Sequence, residues 1–274
     1  MKNFLIILCM LVVIGGTGYS IYYQVENHNK DNNIPNEINN NDSNDNDNNK
    51  DEESLDVNSE LVKNLYNYVS FDKWLDILEK NNTNKLETKN LNQELKNYIG
   101  YRQIPNSKIK SDSCKNYPNI ASSRICGSAA DAVEGVDGTW DSTNSSTQVI
   151  SENDLKEAVE TVFGNNSYNQ VSNFGISSCT IDQSNDYRGY EYDTNSKNYV
   201  YYDGMAGCSN LPITKEIVSA EKVNDTLIIV ENQKIEQDAY NSIPKESLFN
   251  QNIKYTFIYE NGNYYFSSIE KVSD

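Results

Sequence analysis

The chain has 274 residues, 40 acidic against 23 basic side chains, and a formal net charge of −17. Nucleic acids and anionic lipid surfaces are held by Lys and Arg, so an acidic chain with no cationic stripe argues against both partners. The one histidine, His28, lies in a polar low-complexity stretch, which excludes catalytic triads, Cys-His dyads and histidine-ligated metal sites that need an imidazole in a packed pocket.

At the N-terminus, residues 4–23 run from Phe4 to Tyr23 without a charge, and about 20 apolar residues suffice to cross a ~30 Å hydrocarbon core as a helix. Lys2 precedes the segment and acidic residues follow it, so the positive-inside rule keeps residues 1–3 in the cytoplasm and exports the rest. The reading is a signal-anchor helix in the cell membrane. A cleaved secretory signal is the alternative, since the densely apolar part ends at Ile14 before Gly15-Gly16-Thr17-Gly18. Cys9 within the run reads as a small apolar residue.

Residues 24–58 follow as a spacer. From His28 to Asn58 there are twelve Asn and nine acidic residues against Lys30 and Lys50, a composition that cannot bury a core and reads as a disordered tether. A flexible chain of this length spans about 30 Å by the square-root rule, and its charge extends it further.

Residues 59–274 read as one extracytoplasmic domain, helical over 59–164 and a C-terminal antiparallel sheet over 170–274. This is an α+β fold. Behind Asn58-Ser59, Leu61, Val62, Leu65, Tyr68 and Val69 share a helical face that Phe71, Trp74, Leu75 and Leu78 extend to about Lys80. A second helix is predicted from an Asn90 N-cap through Leu91, Leu95, Tyr98 and Ile99, ending before Pro105. A third begins at Ser151 with Asp154 in a capping-box-like start, buries Leu155, Ala158, Val159, Val162 and Phe163, and stops at Gly164.

In the sheet half, a turn at Thr194 to Lys197 pairs Tyr192 with Tyr199 and Tyr190 with Tyr201. Asn261-Gly262, suited to the positive φ angles of a two-residue hairpin, pairs Tyr259 with Tyr264 and Phe257 with Phe266. Segments near 215–223 and 226–233 supply two further strands, for a sheet of five or six. The order of elements fits a cystatin-like or NTF2-like arrangement by analogy alone.

Four cysteines lie beyond the membrane segment: Cys114, Cys126, Cys179 and Cys208. An even count in an exported domain favours disulfides, with Cys114–Cys126 and Cys179–Cys208 the preferred pairing among three. Without a Cys-x-x-Cys spacing or a second histidine, neither a redox pair nor a zinc site is expected. Asp131, Glu134, Asp137 and Asp141 are dense enough to weigh as a calcium site, but match no known loop spacing and read as a solvated loop.

No phosphate loop or dinucleotide fingerprint occurs, so no cofactor and no metal is expected. The remaining functional signal is tyrosine, 20 in the chain. Tyr190, Tyr192, Tyr199, Tyr201, Tyr259 and Tyr264 form a candidate binding surface, because rows of exposed Tyr suit glycans and peptides. The competing view makes them half-buried cross-strand pairs. The expectation is a membrane-anchored, surface-displayed binding or envelope-associated module, with a carboxylate-dependent hydrolase or a purely structural role as alternatives.

Overall fold

A computed structural model describes residues 52–118, 120, 146–176, 181, 183, 188–203, 212–237 and 243–272. All belong to the second of two compact units, residues 49–274; the expected membrane segment 4–23 lies outside the described residues. No helix among the described residues is long and apolar enough to cross a membrane.

In chain order the elements are β1 (Glu52–Ser54), α1 (Glu60–Val69), α2 (Trp74–Lys80), β2 (Lys85–Glu87), α3 (Gln93–Tyr101), β3 (Lys110–Ser113), β4 (Ser146–Ser151) and α4 (Glu152–Phe163). There follow β5 (Asn173–Gly175), β6 (Arg188–Asp193), β7 (Asn198–Asp203), β8 (Thr214–Val223), β9 (Thr226–Ile235), β10 (Phe249–Glu260) and β11 (Asn263–Val272). The fold is α+β, with antiparallel strands throughout, in two sheets where one was expected. The six-stranded sheet has the order β1-β8-β9-β10-β11-β2 and the five-stranded one β3-β4-β7-β6-β5. The two tyrosine hairpins therefore belong to different sheets, and short strands from the expected helical half complete both. β1 pairs with β8, and Leu55 and Val57 pack on the core, so residues 52–58, read as the end of the spacer, are part of the folded unit.

The first apolar stripe folds as two helices rather than one. α1 starts at an Ser59 N-cap, whose hydroxyl accepts from Val62 N at 3.4 Å, and buries Val62, Leu65 and Val69. At Ser70 the backbone turns extended, which drops Phe71 and Trp74 into the core. The Trp74 indole then donates to the Val69 carbonyl at 2.7 Å and satisfies an acceptor that the broken helix leaves open. Leu61, counted with the stripe, is 45% exposed. The second expected N-cap is also displaced, from Asn90 to Asn92, whose side chain accepts from Leu95 N at 2.9 Å, because Thr88–Asn90 forms a 3-10 turn.

α4 matches its sequence signals. Ser151 Oγ accepts from Asp154 N at 3.1 Å, Leu155, Val159 and Val162 are fully buried, and Gly164 ends the helix at φ 89°. α3 crosses α4 closely enough that a Cβ at Gly100 would lie 2.5 Å from Val159 Cγ2.

Two main cores result. α1, α2 and α3 cover one face of the larger sheet, burying Trp74, Phe257, Phe266, Ile229 and Tyr255 among others. α4 and part of α3 cover the smaller sheet through Ile150, Leu155, Val159, Phe174, Tyr190 and Tyr199. The opposite face of the smaller sheet buries Val149, Val200 and Tyr202 under Tyr117 and Ile120. Burial of each such large side chain contributes about 1.5–3 kcal/mol.

Candidate functional site

The β6–β7 hairpin has the expected register, Tyr190 opposite Tyr201 and Tyr192 opposite Tyr199. Its turn is held by Asp193, whose Oδ2 accepts from Ser196 N at 3.0 Å. All four tyrosines join the core that α4 covers: Tyr190 and Tyr199 are fully buried, Tyr192 and Tyr201 partly. The Tyr199 hydroxyl donates to the Val171 carbonyl at 3.2 Å and accepts from Val171 N at 3.2 Å. Tyr192 donates to Glu152 Oε2 at 2.7 Å; burial, then the Glu152 carboxylate, raises its hydroxyl to about 12. These rings stabilise the sheet, and Tyr190 and Tyr199 present nothing to a partner. The physical reason is that a helix lies across the face which the strand pattern alone leaves open.

Tyr259 and Tyr264 stand differently. They face each other across the β10–β11 hairpin with ring centroids 5.0 Å apart, on the same side as the buried pair Phe257 and Phe266. Tyr259 is 44% exposed and Tyr264 half-buried at the edge of the core. The hairpin turn uses φ 52° at Asn261 and φ 90° at Gly262, the positive angles that an Asn-Gly dipeptide accepts at little cost.

The larger sheet holds a polar group that the sequence reading passed over. On β9, Leu227, Ile229, Glu231, Gln233 and Ile235 are all buried on one face. Glu231 lies between Ile217 of β8 and Ile253 of β10, and Gln233 between Lys215 and Gln251. Tyr66 of α1 and the Ser70–Lys73 connection between α1 and α2 cover them. The Tyr255 hydroxyl donates to Glu231 Oε2 at 3.3 Å, and Gln233 Nε2 donates to the Phe71 carbonyl at 3.5 Å. Lys215 pairs with Asp72 and donates to Ser70 Oγ at 3.2 Å, while Arg102 donates to the Ser70 carbonyl at 2.6 Å. Burial raises the Glu231 carboxyl above its ordinary value, partly offset by Tyr66, Gln233, Lys215 and Tyr255. Burial, with Glu231 alongside, likewise pushes up the hydroxyls of Tyr66 and Tyr255. The signal for this cluster was present in the chain: Glu231 and Gln233 occupy the inward parity of a strand whose other inward residues are apolar.

Cys114 is buried and disulfide-bonded. Its partner, with Cys126, Cys179, Cys208 and the acidic cluster Asp131, Glu134, Asp137 and Asp141, lies outside the described residues. Among the described residues no three His, Cys, Asp or Glu side chains group to hold a metal ion.

Comparison with protein-family models, curated proteins and solved structures finds no match for this chain.

Proposed function

We propose that the chain is a membrane-anchored, extracytoplasmic binding module of the cell envelope, tethered by residues 24–51. The observation that carries the binding reading is the Tyr259–Tyr264 pair, partly exposed at the end of the long β10–β11 hairpin. Tyr joins apolar area to a polar tip and loses little conformational freedom on binding, which suits glycan and peptide partners. The disulfide at Cys114 supports an oxidising compartment, hence export. The uncharged run 4–23 supports attachment.

The test is binding of the full chain, held in detergent micelles, to an array of cell-envelope glycans and peptides. A Y259S/Y264S double variant should lose most of the signal, and binding no stronger than that of an unrelated acidic protein would defeat the proposal. Hydrolysis by a carboxylate pair is the rival. Glu231 is sealed from solvent and Asp72 is held by Lys215, so this cluster does not offer the open pair such chemistry needs.

A further inference from the structure

Glu231 and Gln233 stand two residues apart on β9, so both side chains leave the strand on the same face. Both are fully buried. Although Glu231 Oε2 and Gln233 Nε2 are bonded, Glu231 Oε1 and Gln233 Oε1 have no hydrogen-bond partner. Two orphan acceptors side by side call for a donor, and buried polar atoms in native proteins are rarely left this way without a reason. The nearby ammonium of Lys215 is engaged by Asp72 and Ser70.

We propose that Glu231 and Gln233 form the floor of a binding site for a small primary ammonium compound, closed by the Ser70–Lys73 strap. A carboxyl in an apolar interior is stable with a proton or with a paired cation. A primary ammonium supplies three donors, two for the orphan oxygens and one for the Tyr66 hydroxyl, which already interacts with Glu231. The rings of Tyr66 and Tyr255, edge to face at 6.3 Å, add aromatic surface of the kind that attracts a cation. Entry needs the strap to lift. Its polar ties are Asp72 and Ser70 to Lys215, the Ser70 carbonyl to Arg102 and the Phe71 carbonyl to Gln233, and the Phe71 ring packs on Trp74 and Tyr98, so lifting the strap also draws that ring out of the core.

Binding is then linked to protons: burial raises the Glu231 carboxyl and a bound ammonium favours its ionised form, so protons are released on binding over the range in which the carboxyl titrates. The titratable groups acting on it are Tyr66 from α1, Lys215 from β8 and Tyr255 from β10; Asp72 of the strap pairs with Lys215, and the Arg102 charge acts on Tyr255. The two phenols are pushed up and stay neutral, and Asp72 and Lys215 neutralise each other, so Glu231 is the group that changes. Affinity should tighten as pH rises through the range in which the Glu231 carboxyl titrates, and by no more than about tenfold per pH unit.

The experiment is calorimetry and thermal unfolding of the full chain in detergent micelles with methylammonium chloride, against tetramethylammonium chloride at the same ionic strength. Methylammonium should bind saturably, raise the melting temperature and tighten with pH as stated. Tetramethylammonium, which has no donor, should do neither. E231Q, which keeps the shape of the side chain, should fold and lose the response, and Q233M should weaken it. Equal effects of the two cations, or full binding by E231Q, would overturn the site. So would a crystal structure grown in methylammonium that shows an internal water only between the two oxygens.

Discussion

Burial lifts the Glu231 carboxyl above its ordinary 4.5, and the neighbouring Tyr66, Gln233, Lys215 and Tyr255 offset only part of that rise. Because the folded value is the higher one, the group favours the fold below the unfolded pKa, and this contribution is lost as pH rises through the folded value. E231Q should therefore flatten the fall in unfolding free energy on the way to neutral pH. Urea titrations over a pH series measure this, and parallel curves for the two proteins would refute it. A second single-residue test is Gly189, where a Cβ would lie 2.2 Å from the Phe174 carbonyl oxygen and 2.6 Å from the Tyr202 hydroxyl oxygen. Neither β5 nor the Tyr202 side can yield without disturbing the other. Gly189→Ala should lose stability at the upper end of roughly 1–3 kcal/mol, read by denaturant unfolding.

Among the elements, α1 and α4 begin with the same residue type and differ in the quality of the cap. Ser151 Oγ accepts from Asp154 N at 3.1 Å and also donates to Asp154 Oδ2, whereas Ser59 Oγ lies 3.4 Å from Val62 N. Ser151→Ala should cost about 1 kcal/mol and Ser59→Ala clearly less; equal losses in chemical denaturation would contradict this ranking. The α3–α4 crossing rests on Gly100, whose added methyl group would press on the Val159 backbone N at 2.9 Å as well as its side chain. Gly100→Ala should loosen both helices at once, lowering the melting temperature and the protection of their amides from hydrogen exchange. Protection lost in α3 alone would show that the crossing is not the shared support. The strap between α1 and α2 illustrates a different force: Phe71 and Trp74 gain more by leaving the helical path for the core than the helix gains by continuing.

For the molecule as a whole, the covalent restraint at Cys114 is the most direct lever on stability. Reduction of the full chain should cost about 2–4 kcal/mol, seen as a lower melting temperature with reductant than without. An unchanged transition would mean that the bridge restrains nothing the fold needs. The charge of −17 acts over the same scale: self-repulsion opposes compactness, and added salt should relieve part of it.

Pattern in the chain was enough to place α4 with its cap and stop, the helical nature of the region from Ser59 to Lys80, and the registers of both tyrosine hairpins. Each depends on neighbours close in sequence. The Asn261-Gly262 register held at Phe257 and Phe266, then slipped by one residue at the bulge between Thr256 and Phe257, which no local signal announces. Length, charge and the uncharged run 4–23 determined the expectations about export and attachment. Only the tertiary structure decided that the strands divide into two sheets, that α4 buries Tyr190 and Tyr199, and that Glu231 and Gln233 meet a strap built from a broken helix. The reason is physical: a strand's alternation says which residues share a face, but what covers that face comes from segments far away in the chain.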